Sequence, residues 1–172
     1  LGMVFLLLAA GHETTVNLIG SAALELMRHP EQAAALRNDP SMIRSAVEEL
    51  ARFTSPVEMA TERYARDDVE MHGVRIRRGE MVLGVIGSAN RDPSHFADAD
   101  TLDLAREPNR HLAFGIGAHY CLGAPLARLE TQIAIAALLE RAPNLRLDVP
   151  PGTLRWRRHA FLRGLRELPV IL

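Results

Sequence analysis

Three glycines, a histidine and a cysteine crowd into the ten residues FGIGAHYCLG at positions 114–123, and Cys121 is the sole cysteine of the chain. The residues that follow, APLARLETQ, place Pro125 where a first helical turn begins, a strong start signal. Cys121 therefore sits just ahead of a helix N-terminus, where unpaired N–H groups and the helix dipole favour a thiolate. Gly115, Gly117 and Gly123 would let the backbone pass close to something flat. A thiolate can act as a nucleophile, a redox thiol or a metal ligand, while the bland alternative, an inert buried cysteine, is the commoner fate of a cysteine picked at random. Zinc is disfavoured because there is no second cysteine, and HETTV at 12–16 lacks the second histidine of a helical zinc motif. A single axial thiolate to haem iron needs one cysteine, and that answer fits the loop.

Two further patterns carry charge. Glu49 and Arg52 lie three apart in EELAR, hence on one face of a helix; alone, such a pair is usually a solvated salt bridge of little worth. Glu13 and Thr14, in AAGHETT, set an acid beside a hydroxyl after two small residues inside an apolar helix. The structural reading is a threonine bonding back to the preceding turn. The functional reading is a proton relay at a local opening of the helix.

The elements that would position these groups fall into two halves. Residues 1–28 read as one helix, apolar on most faces as a buried helix is. HPEQAAALRNDP gives a short helix between Pro30 and Pro40, and SMIRSAVEELARF another, capped by Ser41. From Val57 the pattern changes: VEMHGVRI alternates about His72-Gly73 as a hairpin does, and EMVLGVI reads as a buried strand. The stretch from Ala89 to His111 is longer than most loops in compact domains, and such loops are usually functional or disordered. After the cysteine loop comes an amphipathic helix, then a tail of short strand-like pieces broken by Pro150, Pro151, Gly164 and Pro169.

Composition bounds what these elements can be. With 172 residues, 48% apolar and 24% charged, the chain has the makings of a globular core. One cysteine excludes an intramolecular disulfide and suits a reducing compartment, the cytoplasm. Twenty basic residues, all arginine, against 21 acidic leave nothing that favours nucleic acid. The apolar opening runs 11 residues before HETT, short of a membrane span of roughly 20. A chain that opens at Leu1 inside an apolar run reads as part of a longer one. Arginines 155, 157, 158, 163 and 166 read as exposed side chains on the tail, and Arg110 and Arg128 as a positive surface for an acidic partner.

In this order and spacing the three motifs resemble the cytochrome P450 family, in its soluble bacterial branch. The loop matches the F-G-x-G-x-H-x-C-x-G signature at Phe114, Gly115, Gly117, His119, Cys121 and Gly123, with PNRHLAFG before it and LARLE after. The resemblance implies a mainly α fold with small β-sheets, the carboxy-terminal part of the P450 domain, with 1–172 as one incomplete domain. Its parts would be a helical half (1–56), strands and a meander loop (57–110), the cysteine loop and following helix (111–142) and a strand-rich tail (143–172).

The resemblance also implies roles. Cys121 would be the thiolate ligand of haem b iron, whose push of electron density favours O–O cleavage. Phe114 would pack beside it, with Gly115 and Gly123 shaping the loop, and His119 and Arg63 would bind haem propionates. Glu49 and Arg52 would form a buried structural pair joined by Arg106. Glu13 and Thr14 would deliver protons to dioxygen, glutamate standing where many members carry aspartate. Leu6, Ala9, Ala10, Val57, Met59, Ala60, Phe161 and Leu162 would line an apolar pocket, which implies a hydrophobic substrate. Electrons would come from a ferredoxin or flavoprotein. Two other readings are an inactive truncated piece and a haem-binding protein without turnover; the intact Glu13–Thr14 pair argues against the latter.

Overall fold

The core is built from helices whose apolar residues recur at helical spacing, and the structure, a computed structural model, describes residues 2–172. The side chains of Met3, Leu6, Leu7 and Ala9 lie outside the described set, and with them the substrate-contact expectations at Leu6 and Ala9. Helix α1 spans Gly2–Arg28 and runs through AAGHETT without a break. Its residues Leu18, Ala22 and Leu26, four apart, are all buried, as one helix face requires. Helix α2 (Pro30–Asn38) has proline in its first turn. Asp39, rather than Ser41, caps the next segment: its carboxylate accepts from the Ser41 backbone N–H at 3.1 Å and leads a 3₁₀ turn, Pro40–Met42. Helix α3 (Ile43–Thr54) follows directly and stops at Ser55, whose φ of 40° lies in the left-handed region.

Ala22 and Leu26 of α1, Ala33 and Leu36 of α2, Ala46 and Leu50 of α3, and Ile135 of α5 (Ala124–Arg141) meet in one apolar cluster. Leu102 and Leu104 close it from the long connection. That connection is therefore packed: Phe96 and Ala99 are buried as well, and Gln32 of α2 accepts the Leu104 N–H at 3.0 Å.

The strands are short and pair in twos, always antiparallel. β1 (Arg63–Tyr64) pairs with β4 (Met81–Val82), β2 (Val69–Met71) with β3 (Val74–Ile76), and β5 (Arg146–Leu147) with β6 (Val170–Ile171). The β2–β3 turn is the expected His72-Gly73, both at positive φ (50° and 78°), as a type I′ hairpin turn needs. Helix α4 (Ile86–Ala89) follows β4.

Two further expectations are corrected. EMVLGVI is not a buried strand: β4 holds two residues, Leu83 and Val85 are exposed, and Ile86 already begins α4. A two-stranded ribbon without a covering layer cannot bury both faces. Nor is α1 buried throughout: Val4, Phe5 and Leu8 are 60%, 74% and 67% exposed, and burial begins at Thr15. Among the described residues nothing packs over that first stretch, although its sequence is as apolar as the rest.

Candidate functional site

The Glu49–Arg52 spacing gives a fully buried ion pair, both residues at 0% exposure. Arg52 donates Nε to Glu49 Oε2 at 2.7 Å and Nη2 to Oε1 at 2.8 Å, the two-pronged geometry a guanidinium and a carboxylate prefer. Arg106 completes the expected triad, Nε donating to Glu49 Oε1 at 3.1 Å. One carboxylate against two guanidiniums leaves a positive excess, and backbone carbonyls answer it. Arg52 reaches the oxygens of Asn90 (2.7 Å), Ala99 (2.8 Å) and Thr101 (3.3 Å). Arg106 reaches those of Ala97 (2.7 Å), Asp98 (3.3 Å) and Thr101 (3.1 Å). The long connection is thus wound around the charges, which explains an ordered path with so little regular structure.

The cysteine loop is tied at its neck. The Cys121 N–H donates to the Phe114 carbonyl at 2.9 Å, and the Tyr120 N–H to that of Gly117 at 3.0 Å. Gly115 and Gly117 adopt φ of 72° and 75°, which side chains other than glycine enter at a cost. A Cβ on Gly123 would meet the Cys121 sulfur at 3.9 Å, an ordinary van der Waals contact. Cys121 is exposed, flanked by Ile116 at 78% and Leu122 at 74% exposure. A thiol on an apolar, uncovered surface is the arrangement a flat apolar ligand with a metal at its centre would need. His119 closes the 3₁₀ turn Gly117–His119 and is exposed. Arg63 lies exposed on β1, with Nη1 donating to Thr61 Oγ1 at 2.8 Å.

On α1 the structural reading of Thr14 holds: its hydroxyl donates to the Ala10 carbonyl at 2.7 Å. Its lone pairs remain free to accept. Glu13 is half-exposed rather than buried, and Arg157 of the tail lies 3.3 Å from its carboxylate. Ala10 is exposed. Five of the proposed lining residues make backbone pairings, and two of these pairings join the 57–58 and 161–162 segments. Val57 bridges Leu162, the Glu58 N–H donates to the Phe161 carbonyl at 2.9 Å, Met59 bridges Val85, and the Ala60 N–H donates to Gly84 at 2.8 Å.

A model of the cytochrome P450 family matches residues 2–158. The chain belongs to the cytochrome P450 family. It is 53% identical over 170 residues to the polyketide biosynthesis cytochrome P450 PksS of Bacillus subtilis, covering 99% of this chain and 42% of that protein. The solved PksS structure superposes with a TM-score of 0.95 over 99% of this chain and 44% of that one. It is 51% identical to the P450 monooxygenase PikC of Streptomyces venezuelae, over 99% of this chain and 41% of PikC. The tirandamycin C-bound P450 monooxygenase TamI aligns with a TM-score of 0.96 at 50% identity, over 99% and 43% of the two chains. The chain thus spans about two fifths of the P450 relatives it matches and corresponds to the carboxy-terminal part of their fold. Membership implies haem as the family's prosthetic group. No described helix is long and apolar enough to cross a membrane.

Three residues join the P450 motifs to one another, and reading the motifs alone passes them over. Asn90, fully buried, accepts the Leu112 N–H at 2.7 Å, donates to Ser55 Oγ at 2.9 Å, and offers its carbonyl to Arg52. The buried ion pair, through the Asn90 backbone carbonyl, and the approach to the cysteine loop, through its side-chain amide, therefore share one residue. Glu48, beside Glu49, accepts Arg128 Nε at 2.6 Å and Nη2 at 2.8 Å, and faces His111 Nε2 at 3.0 Å. Burial pushes the Glu48 carboxyl up, but the hydrogen bonds from Arg128 and His111 and the Arg128 charge outweigh it and lower it from 4.5 to about 2. Arg128, expected on a docking surface, is committed to Glu48 instead, which holds its guanidinium well above the ordinary range. Arg110 is exposed. The one legible signal for these three was their position: Asn90 is the second residue of ANRDP, Glu48 precedes Glu49, and Arg128 lies in LARLE.

Proposed function

We propose that the chain carries the oxygen-activating half of a haem-thiolate monooxygenase acting on a hydrophobic organic substrate. The observation that carries it is the cysteine loop: an exposed sulfur on an apolar surface, set by a glycine-opened turn whose neck is closed by the Cys121–Phe114 bond. Cys121 holds the iron, Phe114, Gly115 and Gly123 shape the cradle, and His119 and Arg63, both exposed, pair with propionates. Haem iron ligated by a thiolate supplies the activation of O2, one atom entering the substrate and the other leaving as water, with two electrons from a ferredoxin or flavoprotein and two protons.

The chain's own part in proton delivery lies on α1. Thr14, with its hydrogen committed to Ala10, accepts a hydrogen bond from whatever it faces. Glu13 is the group that exchanges protons with solvent, being half-exposed beside Arg157. Ala10, Val57, Met59, Ala60, Phe161 and Leu162 form the lining, and the backbone bridges that gather the 57–58 and 161–162 segments support those segments acting as one wall. PksS is named for polyketide biosynthesis and TamI was solved with tirandamycin C, which favours an organic substrate of the polyketide kind.

A second reading has its own observation. Val4, Phe5, Leu8, Ile116, Leu122, Leu126 and Ile133 are all more than half exposed, surface that a covering layer would hide. On that reading the 172 residues bind haem weakly or not at all without more of the length their relatives have. The chain supplied with haem and reduced under carbon monoxide separates the two. A thiolate-type Soret band that Cys121→Ser abolishes supports the first reading. Its absence, or a band of the histidine-ligated kind, supports the second.

A further inference from the structure

We propose that Arg128 is a positioning residue, anchored by Glu48, that fixes the neck of the cysteine loop; this rests on the reading of that loop as the haem site. Consecutive residues of a helix point about 100° apart, so Glu48 and Glu49 leave α3 in different directions. Glu49 enters the buried triad, whereas Glu48 turns to α5 and takes the Arg128 fork on both of its oxygens.

The same guanidinium then reaches both sides of the loop. Nη1 donates to the Tyr120 hydroxyl at 2.8 Å, and the guanidinium carbon lies 4.4 Å from the Phe114 ring centroid. Tyr120 immediately precedes Cys121, and Phe114 supplies the carbonyl that accepts the Cys121 N–H. His111 adds a tie on the approach: the Ala113 N–H donates to its Nδ1 at 3.1 Å while Nε2 faces Glu48 at 3.0 Å. The tautomer this network assigns carries its hydrogen on Nε2. A planar fork with donors to spare can pair with a carboxylate, bond a phenol and stack on a ring at once. An ammonium can replace the first contact and not all three. Arg128 therefore connects α3 to the two residues that bracket the Cys121–Phe114 bond.

The test needs no loaded enzyme. Amide hydrogen exchange on the 172-residue chain is followed at Cys121 and Tyr120, with interior amides of α3 and α5 as internal reference. Arg128→Lys keeps the Glu48 pairing, and is expected to leave the reference amides within about twofold while exchange at Cys121 rises about tenfold or more, the loss of charged hydrogen bonding being of that size. Tyr120→Phe, which removes one hydroxyl and no charge, is expected to raise it by a smaller factor. Reference amides and loop rising by one common factor in both variants would overturn the proposal, as would unchanged exchange at Cys121 in both. The carbon monoxide spectrum of the unsubstituted chain is recorded in parallel. Absence of its thiolate band with faster loop exchange in the variants would sink the haem reading and leave the clamp standing; the band present with unchanged loop exchange would do the reverse.

Discussion

Truncating Arg52 to alanine removes five hydrogen bonds, four of them buried and the fifth, to Thr101, part-buried. The Glu49 carboxylate keeps Arg106, the Asn109 amide at 3.0 Å and the Asp103 N–H at 3.1 Å, so its charge stays answered. Thr101 keeps Arg106. The carbonyls of Asn90 and Ala99 lose the guanidinium, and unpaired buried groups cost about 1–3 kcal/mol each. Adding the lost packing over the Phe96 ring, 5.1 Å from the guanidinium, the total reaches about 3–5 kcal/mol, the range for breaking a buried pair. For a chain of this length that is a fall in Tm of roughly 6–20 °C. Glu49→Ala costs at least as much, because it strands two guanidiniums together. Urea and thermal unfolding followed by circular dichroism read both variants, and haem uptake in the Arg52→Ala protein is expected to vanish. A loss below about 1 kcal/mol, or Arg52→Ala costing clearly more than Glu49→Ala, would refute the reasoning that carbonyl orphaning and net charge set the cost. Normal haem content would defeat the expectation that this pair is needed for the site.

Other outcomes follow from single contacts. Gly117→Ala meets nothing within 4 Å but must hold a φ of 75°, so it costs about 1–2 kcal/mol of pure backbone strain, and Gly117→Asn recovers part of it by the same unfolding measurement. Gly164→Ala drives a methyl into the buried Asn17 amide and costs about 1–3 kcal/mol, whereas an ordinary surface glycine would show almost no change. Because the Glu48 carboxyl is lowered from 4.5 to about 2, its pairing stabilises the fold fully above pH 4.5 and is lost as pH falls toward 2. Urea midpoints should therefore decline over that window, and Glu48→Gln should flatten the decline. Arg157→Ala breaks a half-exposed pair with Glu13 and should change stability by less than about 1 kcal/mol. Thr14→Ala should uncouple turnover in a loaded enzyme, releasing peroxide in place of product; unchanged coupling would remove Thr14 from the proton path.

The helices and the hairpin were legible because their signals are local: Pro30 and Pro125 in first turns, His72-Gly73 between alternating residues, the four-residue spacing of Leu18, Ala22 and Leu26. The EELAR pair was legible as a spacing, and its burial only through the family resemblance. Nothing within five residues announces that the connection from 90 to 106 will wrap it with carbonyls. Glu48 and Arg128 are 80 residues apart, and Glu13 and Arg157 are 144 apart. Partners at such distances are chosen by helix packing, which a one-dimensional pattern does not contain. The misread strand at 80–86 and the exposed start of α1 share a cause: apolar residues report that a surface is to be covered, and not by what.

The support of the cysteine loop shows what the packing adds. From inside, Arg52 holds the Asn90 carbonyl while the Asn90 side chain holds Leu112, two residues ahead of Phe114. From outside, Glu48 holds Arg128, which reaches Phe114 and Tyr120. Both lines start on α3 within five residues, one ion pair sealed from water and the other about a quarter exposed. Two glycines at positive φ open the loop and its own backbone bonds close its neck, and these two lines tie that neck to α3. Cutting the inner line threatens the whole fold, because its charges are sealed from water. Cutting the outer one changes the loop first, and that difference makes the role of Arg128 measurable apart from stability.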